Sequence, residues 1–478
     1  MEAHKPPKTV IRRINFMGDS LSDEGTFALR TILYGLVPKS VIADMDKFPH
    51  GRFTNGYTWV DLLCELLVSK YLSKDLEERH RLESSDIADG IIDHDPVIEK
   101  EVRRENTLDI DTKADSEGER FARYYCEGGL TSHNYGSSFI ASLKFWGARK
   151  IVCPLENKCN LLLDYDKQFA LSDQEKSETL NMEWSGGNDL ITVNSRPTEA
   201  EADMAVAARI ANIKRLYDSG YRNFALCNLP DLACTPRFQN YSQEERDNAT
   251  AVVNHFNRKL QEECLKFQSA NPGASVHVID TYTKSAEIYN NPEKYGFDES
   301  KKRTPFNTSP DYAKKPDGTA PAPRYMYSDD IHPSAELHTL ICENILKQLE
   351  QFIDFQRPFP TKTTDARNMY HSFMRAYTKQ VKLENESIFT LWGWTVSERL
   401  PQDALKVHAI EGKEDYLRLL AIILNHGIND NGARTRKILL DFGWIDSKNN
   451  IDVSNPALGD ARDYMKELDD KLKDNVTL

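Results

Sequence analysis

Ser20 stands where a serine can do chemistry. Ile14-Asn15-Phe16-Met17 reads as a short apolar strand, and Gly18-Asp19-Ser20 turns the chain sharply at its end. Such a turn lifts the hydroxyl clear of a sheet edge. A hydroxyl is a weak nucleophile at its ordinary pKa, so it needs a base within hydrogen-bond reach, a group that orients the base, and donors facing the oxyanion that develops. Of the 12 histidines, only His332 has an aspartate three residues before it, in Asp329-Asp330-Ile331-His332-Pro333. Asp329 can then bond the inner ring nitrogen and leave the outer one for Ser20. The neighbouring Asp330 raises a question of register.

Donors come from two further stretches. In Cys126-Glu127-Gly128-Gly129-Leu130-Thr131-Ser132, the paired glycines permit a tight turn whose backbone N–H approaches a substrate oxygen with no Cβ in the way. In Trp184-Ser185-Gly186-Gly187-Asn188-Asp189-Leu190, a glycine-flanked Asn188 ends one apolar run and precedes another, so its side-chain amide can reach the same cleft. Losing one such donor costs about 3 kcal/mol of transition-state stabilisation. Either stretch alone reads as an ordinary turn.

Taken in order, these stretches resemble the blocks of the GDSL or SGNH hydrolase family. In that resemblance Ser20 matches the nucleophile, Asp329 and His332 complete a triad, and Gly129, Asn188 and the Ser20 backbone N–H form the oxyanion hole. Gly51-Arg52-Phe53-Thr54-Asn55-Gly56 with Trp59-Val60, Asn228-Leu229-Pro230-Asp231-Leu232 with Thr235-Pro236, and His255-Phe256-Asn257 resemble the bacterial phospholipase A and glycerophospholipid acyltransferase branch. The resemblance spans roughly residues 8–355 and implies a three-layer α/β/α sandwich with a central, mainly parallel sheet, needing neither metal nor cofactor. Leu130 departs from the pattern, which usually has a small residue there, and that bears on how open the oxyanion site is.

The elements that must position these residues are legible in part. Residues 8–17 are expected to form a first strand. Apolar spacing predicts helices over Glu199 to Tyr217 and Gln243 to Phe267, alternating with the strands Phe224 to Cys227 and Val276 to Ile279, as in a parallel sheet covered on both faces. Pro333-Ser334 marks the start of a helix continued by Leu337, Leu340, Ile341 and Ile345. Residues 75–120 are charged and lack aromatics, reading as an insertion that acts as a lid, a partner surface or a solvated linker. Residues 299–324, rich in Lys, Pro, Ser and Thr, read as a flexible loop next to Asp329. The stretch between the two donor blocks is a candidate wall for an acyl pocket. His255 and His277 read as packed structural histidines. After a double-proline break, residues 361–478 read as a helical C-terminal domain of no recognised family.

Composition bounds the rest. The 478 residues carry a net charge of -13, with 74 acidic against 61 basic side chains, which disfavours nucleic-acid binding because phosphate neutralisation needs clustered cations. No apolar run reaches the length of about 18 residues that a membrane-spanning helix needs. Met1 to Arg13 lacks the apolar segment of a signal peptide, and cleavage at the usual distance would remove the first strand or Ser20. The expected location is the cytoplasm, or export as an effector by another route. The eight cysteines form no disulfide framework. Cys64, Cys264 and Cys342 fall in apolar helical patterns, and Cys153 and Cys159 bracket a loop that oxidation would close.

The leading expectation is a serine esterase acting on phospholipids or lysophospholipids, releasing the acyl group to water or to an acceptor alcohol, with peripheral membrane contact and a protein partner for the C-terminal domain both open. Two alternatives stand beside it. One is a carbohydrate O-acetylesterase; the other is a non-catalytic scaffold acting through the C-terminal domain.

Overall fold

The computed structural model describes residues 8–29, 31–32, 37–38, 47–80, 115–116, 119–136, 149, 152–168, 171–194, 196–315, 320–356, six positions between 366 and 377, 413–429 and 432–474. The expected insertion at 75–120 falls largely outside them. The chain divides into two compact units near residue 358.

The first unit is built on five parallel strands: β2 (Arg13–Gly18), β3 (Ala122–Cys126), β4 (Thr179–Trp184), β5 (Asn223–Cys227) and β6 (Ser275–Ile279), in the spatial order β6-β5-β4-β2-β3. Every residue of β4 and of β5 is buried, as strands covered on both faces require. Asn15 and Asn181 face each other across β2 and β4, and their side chains share a 2.8 Å hydrogen bond inside the sheet. The first strand differs from the expected 8–17. After β1 (Thr9–Ile11) the chain breaks at Arg12, and β1 pairs in parallel with β7 (Ile353–Phe355) in a separate two-stranded sheet.

The chain leaves β2 in one direction to reach β3, then returns across β2 to β4 and steps onward to β5 and β6. Right-handed crossovers therefore put the first connecting helix on one face and the later ones on the other. On one face α1 (Trp59–His80) packs against α6 (Ala335–Leu349). On the other, α2 (Leu155–Gln168), α3 (Glu199–Asp218) and α4 (Gln243–Ala270) pack in series, while α5 (Tyr282–Asn290) follows β6. Ser334, Thr198 and Ser242 cap α6, α3 and α4 by accepting backbone N–H groups of the first turn, each contributing about 1 kcal/mol.

The second unit has its own core. Around α7 (Lys413–Ile428), α8 (Ala433–Asp441) and α9 (Pro456–Asp474) gather Met369, Tyr370, Phe373, Leu420, Ile423, Leu439 and Trp444, all buried. The Trp444 ring lies 6.3 Å from Phe373 and 5.3 Å from Phe442 within this core.

Candidate active site

Strand register gathers the site. Gly18, the last residue of β2, stands opposite Cys126 of β3 and Trp184 of β4, so the loops carrying Ser20, Gly129 and Asn188 leave the sheet side by side at its carboxyl edge. That edge, where the chain reverses direction across the sheet, is where open α/β folds form clefts.

His332 arrives from the far end of the unit. Its Nε2 lies 2.7 Å from Ser20 Oγ and its Nδ1 lies 2.7 Å from Asp329 Oδ2. The Asp329 Oδ1 accepts the backbone N–H groups of Ile331 and His332 at 2.9 and 2.6 Å. Burial pushes the Asp329 carboxyl up, but the facing imidazole and these donors outweigh it and hold it below the usual carboxylate value. Asp330 turns away, its carboxylate receiving Nε and Nη2 of Arg237 at 2.8 and 3.2 Å, which answers the register question in favour of Asp329.

The loop before α6 is tied to the Arg52–Gly56 turn. Thr54 Oγ1 donates to the Pro333 carbonyl at 2.9 Å, and Asn55 Oδ1 accepts the Ala335 N–H at 2.9 Å. Arg52 is itself held by a buried ion pair with Asp61 at 2.7 Å, and the Phe53 ring lies 5.1 Å from the imidazole. Asn55 Nδ2 also donates to Ala320 O, whose own N–H returns to Asn55 O. Within the described part of 299–324, Phe306, Ala320 and Ala322 bury a small core with Tyr325, and Asn307 N–H bonds Ser328 O at 2.8 Å.

Two buried carboxylates that sequence reasoning passed over tie down the loops around Gly129 and Asn188. Asp23 accepts N–H groups of Gly25, Thr26 and Phe27 from its own turn and of Gly128 at 2.6 Å; burial raises it to about 6. Asp189 accepts the N–H groups of Ser132 and His133 at 2.7 and 2.9 Å and is raised by burial to about 7. An aspartate ahead of Gly25 is a legible Asx-turn signal; its reach to Gly128 has none. Gly129 takes φ +77°, a conformation that strains any side chain. Among the described residues the backbone N–H groups of Ser20 and Gly129 make no intramolecular hydrogen bond. Asn188 Nδ2 spends one donor on Leu130 O at 3.0 Å. Leu130 itself is fully buried and turned away from the cleft, so its bulk does not narrow the site.

A cavity of about 360 Å³ opens over these groups. Its walls are mostly apolar, with Leu229, Leu232, Tyr289, Met326, Tyr327 and Ile341 prominent. Of the stretch between the donor blocks only Val152 reaches it among the described residues; α2 packs on α3 and β3 instead. Much of the wall comes instead from the loop at Leu229–Thr235, whose Leu229 backbone is clamped by both amide atoms of Asn257 at 2.9 Å. Asp19, which lines the cavity beside Ser20, is raised by burial to about 7. His277 stacks on Phe352 at 3.4 Å, burial lowering its pKa, and His255 bonds Asp203 on the surface of α3. All eight cysteines lie among the described residues and no disulfide joins them; Cys64, Cys264 and Cys342 are buried.

Residues 14–345 match the GDSL-like lipase/acylhydrolase family. The chain belongs to that family. Its parallel sheet with helices on both faces is the family's fold, and the family name describes carboxylic-ester hydrolases. Among curated proteins it is 26% identical over 36% of its length to thermolabile hemolysin of Vibrio parahaemolyticus, covering 41% of that protein. It is 30% identical over 35% of its length to a GDSL esterase/lipase of Arabidopsis thaliana, covering 51% of it. With the secreted effector protein SseJ of Salmonella typhimurium it shares 23% identity over 74% of its own length and 67% of the relative's. The chain thus spans about half the length of the first two. No helix among the described residues is long and apolar enough to cross a membrane.

Proposed function

We propose that this chain is a serine esterase that cleaves acyl esters of phospholipids or lysophospholipids through Ser20, His332 and Asp329. The observation that carries the reading is the pair of 2.7 Å contacts running from Ser20 Oγ through the imidazole to Asp329, at the floor of a mostly apolar cavity. Ser20 Oγ attacks the ester carbonyl carbon while its proton passes to His332 Nε2. The carbonyl oxygen becomes an oxyanion facing the Ser20 and Gly129 N–H groups and the second Asn188 Nδ2 donor. Collapse breaks the bond to the alcohol, which leaves with the proton from His332, and the acyl group stays on Ser20. Water, or an acceptor alcohol, then attacks the acyl-enzyme, giving its proton to His332; the bond to Ser20 Oγ breaks, His332 returns that proton to Oγ, and the free acid or a new ester leaves. Asp329, held ionised, fixes the imidazole tautomer and stabilises the imidazolium.

The apolar wall supports a long acyl chain over an acetyl group, since each buried methylene adds about 0.8 kcal/mol and an acetylated sugar would leave Leu229, Leu232 and Ile341 without a partner. The test is lipid mass spectrometry after incubation of wild type and Ser20→Ala with mixed phospholipids, beside acetylated xylan and p-nitrophenyl acetate. Long-chain fatty acid released by wild type alone is the expected result. Deacetylation of the sugar as the dominant activity would instead make the chain a carbohydrate esterase, and unchanged product from Ser20→Ala would remove the triad.

A further inference from the structure

One residue of the cavity is unaccounted for by ester chemistry. Among the described residues lining it, Arg237 is the sole lysine or arginine. Its Nε and Nη2 are fixed by the Asp330 carboxylate, and its backbone N–H bonds Asp330 O at 2.7 Å. The guanidinium is therefore oriented one residue away from Asp329, while Nη1 makes no hydrogen bond to any described residue. Arg237 and Ile191 also border a second, smaller cavity of about 50 Å³, shared with Arg196, Phe238, Tyr241 and Glu245. Arg237 and Arg196 thus both line a small recess that shares Ile191 and Arg237 with the larger cavity.

We propose that Arg237 and Arg196 bind the phosphate of a zwitterionic phospholipid headgroup, an inference that rests on the esterase reading above. A planar guanidinium with spare N–H donors is matched to phosphate oxygens. The surrounding carboxylates decide what else the headgroup carries. Asp330 is committed to Arg237, and Asp231 accepts Thr250 Oγ1 and the Ala233 N–H. Glu244 lies 3.9 Å from Arg196, and Glu245 lines the recess. This acidic surround disfavours a bare anion and favours one joined to a cation. Beyond the phosphate, Glu245 and the Tyr241 ring, set edge-on to Phe238 at 4.9 Å, suit a choline or ethanolamine group, because ammonium ions sit well on aromatic faces. The acyl chain would lie along Leu229 and Ile341, the ester at Ser20, and the headgroup past Ile191.

The test compares kcat/KM on lysophosphatidylcholine with that on monoacylglycerol of the same chain, in mixed detergent micelles. Loss of loop positioning at Asp330 lowers both rates alike, so the ratio isolates headgroup recognition. The expected ratio favours the lysophospholipid in wild type and falls about tenfold in Arg237→Ala and in Arg196→Ala, with Arg237→Lys keeping part of it. A ratio that neither alanine variant changes overturns the proposal. So does inhibition of wild-type monoacylglycerol turnover by inorganic phosphate combined with an unresponsive ratio, which would make the recess a free-anion site. A wild type inactive on both substrates overturns the esterase reading, and this inference with it.

Discussion

The Asp23 carboxylate accepts the backbone N–H of Gly128 at 2.6 Å, which makes the turn bearing Ser20 and the loop bearing Gly129 one mechanical piece. Ser20 and Gly129 follow strands joined by a long connection; the pairing of Gly18 with Cys126 and the Glu127 N–H on Gly18 O at 3.0 Å bring their loops together, and Asp23 adds a buried tie between them. Replacing Asp23 with Ala is expected to cost about 3 kcal/mol of stability, because several buried N–H groups lose a charged partner. It should also lower kcat about 10–100-fold through misplacement of the donor loop. Chemical denaturation and steady-state kinetics measure both; full activity in a folded variant would detach Asp23 from the site.

Removing any member of the proposed triad should collapse turnover without unfolding the chain. Ser20→Ala and His332→Gln are each expected to lower kcat by about 10⁴ or more, and the double variant no further, since the residues act as one unit. Additive losses would mean that they do not.

For Asn188→Ala the expected loss is about 10²–10³ in kcat with KM little changed, the signature of a donor used mainly in the transition state. The Thr192 hydroxyl and Leu130 carbonyl that Asn188 now bonds make a modest drop in melting temperature expected as well. An effect confined to KM would place Asn188 in substrate binding alone.

Asp19 predicts a dependence on pH. Burial raises it from 3.8 to about 7, so between those values the folded state holds a proton that the unfolded chain has released. Stability then falls as pH rises from about 4 to about 7. Asp19→Asn removes that slope. Its melting temperature relative to wild type should rise by several degrees from pH 4 to pH 8, and a difference independent of pH would refute the assignment.

How much of this was legible follows from the range of each interaction. Ser20, Gly129, Asn188, Asp329 and His332 could be picked out because each is marked locally, by glycines, by a three-residue spacing or by a helix start. The helices Glu199–Asp218 and Gln243–Ala270 carried long apolar stripes and caps, and the structure extends the expected ends by only a few residues. What escaped is what acts across the chain. Asp189 holding Ser132, Thr54 holding Pro333 and Arg237 holding Asp330 join residues tens to hundreds of positions apart, and no local pattern announces a partner at that distance. At residues 299–324 lysines and prolines suggested a loop, and composition gave no sign of its apolar contacts. Phe306 and Tyr325, too sparse to show a period, join Ala320 and Ala322 in a small core there. The break at Arg12 was invisible for a related reason: β1 belongs to another sheet, and its partner β7 is more than 300 residues away.

That pairing of Thr9 with Ile353, reinforced by the Gln356 N–H on Ile11 O at 2.9 Å, leaves the beginning and the end of the hydrolase unit lying against each other. A short peptide could splice them, and new termini opened in a surface loop far from Ser20 would give a permuted enzyme of unchanged topology. It also means that a growing polypeptide emerging from the ribosome cannot close this edge of the unit until the segment around Ile353 has been made.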